Sequence, residues 1–312
     1  MNDFLSQATV VWLSFLLQSL AYATPVLFAA LGELLSERVG VINIGLEGLL
    51  LVGALTAVLV ASATGVPLLG VLAALVAGVG GAALFGLFGV VLRRDQVIVG
   101  TTLNFLALGL TGMLYRAATS GGTSAVTAPS LPPIFGQGSL SVGGLTLLAL
   151  ILIPLSHWLL FRTRLGVTLR ATGEVPEAAA ASGSNVIGLR FFVCLATGAL
   201  CGLGGAALSI GILNTFTEGM TAGRGFIALA IVVFGRWTPY GALFAALLFA
   251  AADVGQSRLQ AANLVPLGAD GRPLLSYPVF LAAPYILTLL ALAIRGAKVR
   301  APAALGKPFD QG

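Results

Sequence analysis

The sequence predicts an all-α, polytopic membrane protein of about eight to ten transmembrane helices, built as a single domain over residues 1–312. Three observations predict it. Of the 312 residues, 58% are hydrophobic and 9% are charged, against about 25% charged in ordinary soluble domains. The 16 Lys and Arg and 11 Asp and Glu leave long uncharged runs, each near the roughly 20 apolar residues that cross a bilayer. The 41 glycines sit inside these runs, as the small residues that let membrane helices approach closely. A water-soluble enzyme of this size is excluded.

In chain order, residues 1–7 carry Asp3 and no basic residue, so a cleavable secretory signal is not expected. Apolar runs bounded by charge or by Pro/Gly clusters place spans near 9–31, 39–63, 68–92, 97–117, 143–161, 190–212, 223–236, 239–257 and 279–295. The run 223–235 is too short to cross as a straight helix, which points to a broken or re-entrant segment. The basic residues set the orientation. Arg38, Arg93, Arg94, the loop 162–190, Arg236 and the tail from Arg295 to Lys307 are expected in the cytoplasm, leaving Arg116, Arg224, Arg258 and Arg272 outside. Nine spans put the N-terminus outside; a break near 33–47 puts it inside. Cys194 and Cys201, seven apart on one apolar face, read as small hydrophobes rather than metal ligands. The positive net charge reflects arginines at span ends, with no basic stripe interleaved with aromatics, so no nucleic-acid partner is expected.

Several polar groups interrupt the apolar pattern. The stretch 32–48 brings three carboxylates and an Asn into an apolar context, and on a continuous helix Glu33, Ser36, Gly40, Asn43 and Glu47 share one face. An ionisable residue facing lipid costs about 2.5 to 3.5 kcal/mol on insertion scales. That face must therefore pair, bond to backbone or line a wet cavity. A second stripe joins Thr101, Asn104, Thr111 and Tyr115, with Gly100 close by; Asn104 offers donors and an acceptor suited to a nucleobase edge or sugar hydroxyls, or to interhelical bonding. Phe105 and Phe226 offer stacking faces beside these stripes. Asp253, Gln256, Ser257 and Gln260 form a third polar face at an outer mouth, and His157 reads as an interfacial residue. A faint echo relates 100–108 to 223–230. The candidate pathway residues are thus Asn43, Glu47, Thr101, Asn104, Phe105 and Phe226.

The loop 162–190 holds Gly173, Glu174, Pro176, Glu177, Ala179, Ala180 and Gly183. Pro176 opens a short Ala-rich helix that Gly183 can end, and Glu174 and Glu177 suit its positive N-terminal end. A small, smooth helix of this kind fits a groove on another protein. No phosphate-binding loop, zinc-protease or serine-hydrolase motif and no cluster of metal ligands occurs in the sequence.

Four stretches carry a resemblance: 32–48, 96–111, 173–183 and 219–235, with 283–288 near the end. Over about residues 25–295 the chain resembles the permeases of bacterial nucleoside ABC importers, within the wider group of branched-chain amino acid and ribose permeases. The resemblance implies a multi-pass protein of the bacterial plasma (inner) membrane with about ten helices. It implies a second, different permease chain, a cytoplasmic ABC ATPase, an exported substrate-binding protein, often a lipoprotein, and a nucleoside substrate. It makes 173–183 a coupling helix docked on the ATPase, which would use ATP and Mg while this chain binds no cofactor or metal itself. An ion-coupled secondary transporter, or an ABC permease for a sugar or branched-chain amino acid, is the alternative.

Overall fold

The computed structural model describes residues 2–119, 126–136, 140–261 and 300–309, without the side chains of 2–8 and 260. Its elements are α1 (Asn2–Arg38), α2 (Leu46–Thr64), α3 (Pro67–Gly86) continued by a π-helical turn (Leu87–Val91), α4 (Gln96–Ala118), α5 (Gly144–Arg162), α6 (Arg164–Glu174), α7 (Pro176–Ala181), α8 (Val186–Leu208) continued by a π-helical turn (Ser209–Leu213), α9 (Arg224–Phe234) and α10 (Pro239–Ala261). A two-stranded antiparallel pair, β1 (Pro133–Phe135) with β2 (Val142–Gly143), precedes α5.

Among the described residues, seven helices are long and apolar enough to span a membrane. They match the expected spans except at three places. The expected spans 9–31 and 39–63 become a helix ending at Arg38 and another beginning at Leu46, separated by a non-helical stretch. The run 223–236 yields only the 11-residue α9, about 16 Å long at 1.5 Å per residue. The expected span 279–295 lies outside the described residues.

Helix α8 lies at the centre, and glycines set its fit. A Cβ on Gly202 would stand 2.2 Å from the carbonyl oxygen of Ala74 in α3, and one on Gly205 would stand 2.2 Å from that of Leu50 in α2. Only glycine allows these backbones to approach so closely. Thr197 of α8 donates to the Gly32 carbonyl of α1 at 2.8 Å. Cys194 and Cys201, on the same helix, are free thiols at 0% exposure, as expected of small apolar side chains.

Helix direction alternates, so charges sort to two ends. One end gathers Arg38, Arg93, Arg94, Arg162, Arg164, Arg170, Arg190, Arg236, Arg300 and Lys307, and the opposite end holds Arg116 and Arg258. Arg258 clasps α10 to α1 there, donating to Gln18 at 2.9 Å and Ser14 at 3.1 Å above the Phe15 ring. Arg224 departs from the expectation. Rather than lying in an outer loop, it starts α9 beside the first turn of α2, and its guanidinium donates to the carbonyls of Met220 and Thr221 at 3.2 and 3.3 Å. His157 stacks between Phe161 at 4.8 Å and Tyr240 at 5.1 Å.

Candidate functional site

The stretch 33–47 is not one helix, so its polar residues do not form one stripe. Helix α1 ends at Arg38, Gly40 takes a left-handed φ of 87°, and α2 begins at Leu46 inside the bundle. The connection between these two spans enters the bundle, and backbone groups there need partners where water is scarce. Side chains supply them. The Ile42 N–H donates to Gln96 Oε1 at 2.9 Å, and the Asn43 N–H donates to Glu33 Oε1 at 2.8 Å. Asn43 Oδ1 in turn accepts from Gly45 N–H at 2.9 Å. Asn104 bridges both sides of the break, accepting from Gly48 N–H at 2.8 Å and donating to the Ile44 carbonyl at 2.9 Å.

Helix α9 is the second interruption. After α8 the chain turns back through residues 214–223, with left-handed φ values at Asn214, Ala222 and Gly223. The Glu47 carboxylate then caps the start of α9: Oε1 accepts Gly223 N–H at 2.8 Å and Oε2 accepts Gly225 N–H at 2.7 Å. A negative charge is favourable at the positive end of a helix dipole. Glu47 lies in the first turn of α2, so it also sits at that helix's own positive end. Two helix starts therefore meet at one carboxylate.

The far end of α9 is held by the same stretch. Trp237 donates its indole N–H to Glu37, and Arg38 donates to the Trp237 carbonyl through Nη2 at 2.6 Å and Nε at 3.0 Å. A helix too short to cross alone is thus clamped at both ends by Glu37, Arg38 and Glu47. Glu33 and Asn43, in the same stretch, instead hold the connection before α2.

Glycines again permit the contact. A Cβ on Gly225 would lie 2.3 Å from the Glu47 backbone nitrogen, and one on Gly100 would lie 2.8 Å from that of Gly45. The two segments with a sequence echo each press one glycine onto the beginning of α2.

The expected pathway residues divide accordingly. Asn43 is fully buried; Glu47, Thr101 and Asn104 are half-buried. Asn43, Glu47 and Asn104 all bond to backbone, which is the structural alternative the sequence left open. Thr101 donates within α4, to the carbonyls of Val97 and Ile98 at 2.8 and 3.0 Å. Phe105 is 74% exposed and Phe226 49% exposed. Each follows, in sequence, a residue that contacts the first turn of α2. At the far end of α4, Arg116 pairs with Glu218 at 2.9 Å, with both side chains well exposed.

In the loop 162–190, α7 spans only Pro176–Ala181. Glu174, Glu177 and Gly183 are exposed and Gly173 is buried. Ala180 is half-buried. Ala179 does not face outward: at 3% exposure it packs with Val186 and Phe309. The outward positions of α7 are Glu177, Ala178 and Ala181. Gln96, Arg190 and Phe309 were given no site role from the sequence, because nothing local distinguishes them from residues at any helix end or tail.

Helices that begin inside a membrane bundle, with their first turns held by side chains, are an arrangement shared by membrane transport proteins. The chain belongs to the branched-chain amino acid transport system / permease component family, whose model matches residues 15–292. It is 39% identical, over 94% of its length and 95% of the relative's, to the guanosine ABC transporter permease protein NupQ of Bacillus subtilis. It is 35% identical to the putative glucose ABC transporter permease protein TsgC13 of Haloferax volcanii, over 93% and 95% of the two chains. To the nucleoside ABC transporter permease protein NupC of Lactococcus lactis it is 33% identical, over 92% and 93%. No solved structure matches significantly. The chain is an ABC-transporter permease, integral to the membrane and multi-pass.

Proposed function

We propose that this permease forms one half of the membrane pathway of a nucleoside importer. A second permease chain supplies the other half, and ATP is hydrolysed by a partner ATPase rather than here. The carrying observation is the junction at Glu47, where α2 and α9 both start inside the bundle; Phe105 and Phe226, each one residue beyond a contact to the first turn of α2, are exposed. Aromatic faces suit a nucleobase. Two of the relatives reported above carry guanosine or nucleoside in their names. Half-buried Glu47 lies where lipid cannot cover it at low cost, which supports a second chain there.

In this reading an exported binding protein selects the substrate, and the permease offers a weak, mostly apolar passage. The polar side chains at the junction hold the broken backbone in place. Loop 162–190, with the exposed face of α7, docks on the ATPase. The test is uptake into vesicles containing this chain with its partner permease, ATPase and binding protein. ATP-dependent, saturable uptake of a labelled nucleoside is expected. Uptake of glucose or a branched-chain amino acid instead would overturn the substrate assignment, and uptake by this chain alone would overturn the ATP-driven assembly.

A further inference from the structure

The C-terminal segment 300–309 returns to the arginine-rich end and ties together three parts of the chain that are distant in sequence. Ala304 N–H donates to the Gly173 carbonyl at 2.9 Å, and Ala303 N–H donates to Glu174 at 3.3 Å, so the segment first grips the end of α6. Gly306 N–H then donates to the Gly40 carbonyl at 3.0 Å, in the break between α1 and α2. Arg190, at the start of α8 and 2% exposed, donates from Nε to the Val39 carbonyl at 3.0 Å and from Nη1 to the Lys307 carbonyl at 2.9 Å. Phe309, 7% exposed, closes the strap by packing on Ala179 of α7 and Val186 of α8.

These contacts leave little slack. A Cβ on Gly173 would stand 2.3 Å from the Arg38 carbonyl, and one on Gly40 would stand 2.8 Å from Arg190 Nη2 and 3.0 Å from the Ala304 carbonyl. The ATPase-facing loop, the break and the tail therefore share one packed knot. From Gly40 the chain runs only seven residues to Glu47, the carboxylate that holds α9.

We infer that the strap 302–309 is the element that couples α7 to the broken helices, with Phe309 and Arg190 as its positioning residues. A push on α7 moves Phe309 and the Gly173 carbonyl. The strap passes that displacement to Gly40, and the break passes it to Glu47 and α9. Ala179 is the contact through which α7 reaches the strap, while the outward Ala178 is left to face the partner. This rests on the reading that α7 docks on the ATPase.

The experiment uses the assembled transporter and measures complex yield, ATPase rate and substrate uptake for Phe309→Ala, Phe309→Leu and Arg190→Lys. Phe309→Ala is expected to keep the complex and its ATPase rate while lowering uptake per ATP hydrolysed by about fivefold or more, the lower range of typical coupling effects. Phe309→Leu, which refills the apolar site, is expected to recover most of that ratio. Arg190→Lys, which cannot bond both Val39 and Lys307 in the same fork, is expected to lower the ratio as well. An unchanged ratio in Phe309→Ala, an equal fall of uptake and ATPase rate, or loss of the complex without recovery in Phe309→Leu each overturns the inference. Failure of the docking reading shows up separately: Ala178→Arg would then leave ATPase association intact.

Discussion

Glu47 and Gly225 are locked to each other by both a bond and a contact. The Gly225 N–H donates to Glu47 Oε2 at 2.7 Å, and its Cα lies so near the Glu47 backbone that a Cβ would fall 2.3 Å from the nitrogen. The start of α9 is fixed to the start of α2 by this pair.

Replacing Glu47 by Gln removes the negative charge and turns one of the two acceptors into a donor that faces an N–H. Hydrogen bonds to charged groups contribute about 1.5 to 3 kcal/mol, so E47Q is expected to lose about 2 kcal/mol of stability and much of its uptake. Thermal unfolding in detergent and uptake in the assembled complex measure both. Wild-type values in each would show that the carboxylate does not hold α9.

Gly225→Ala introduces a methyl against backbone that cannot rotate away, and overpacking of this kind costs about 1 to 3 kcal/mol or more. Gly80→Ala is the control, because nothing lies within 4 Å of that position on α3 and a helical Gly→Ala change gains about 0.5 to 1 kcal/mol. The two variants are expected to shift the unfolding midpoint of the purified chain in opposite directions.

Asn104→Leu strips the partner from Gly48 N–H and from the Ile44 carbonyl together. Leaving a buried polar group unpaired costs about 1 to 3 kcal/mol. Asn104→Asp keeps the acceptor and loses the donor, so uptake and thermal stability should fall in the order wild type, Asp, Leu. If Leu transports as well as Asn, the α2 start does not depend on this bridge.

Ala178→Arg and Ala179→Arg test which face of α7 meets the ATPase. Ala178 is exposed and Ala179 is packed on Val186 and Phe309. The first substitution should abolish co-purification with the ATPase while the permease unfolds at its normal temperature; the second should lower that temperature too. Equal behaviour of both would mean that α7 has no outward docking face.

The purified chain is expected neither to bind nor to hydrolyse ATP, since its sequence contains no loop of the phosphate-cradling pattern. Saturable hydrolysis by a preparation free of partner subunits would contradict this.

Hydropathy alone determined that this chain is a helical membrane protein, and it located most spans to within a few residues, because burial in lipid imposes a local requirement on each run of about 20 residues. It also marked both interruptions: the polar stretch 33–47 by its carboxylates and the run 223–235 by its length. It could not assign those polar groups a task. A stripe that must avoid lipid can line a passage or hold backbone, and periodicity is the same in either case. The tertiary structure decided it by bringing Glu47 to Gly223 across 176 residues and Asn104 to Gly48 across 56. It likewise turned Ala179 inward and laid the tail across Gly40 and Gly173. Such pairings depend on where distant helices cross, and that is settled by the packing of glycines and small side chains along α8, not by the local pattern of any one segment.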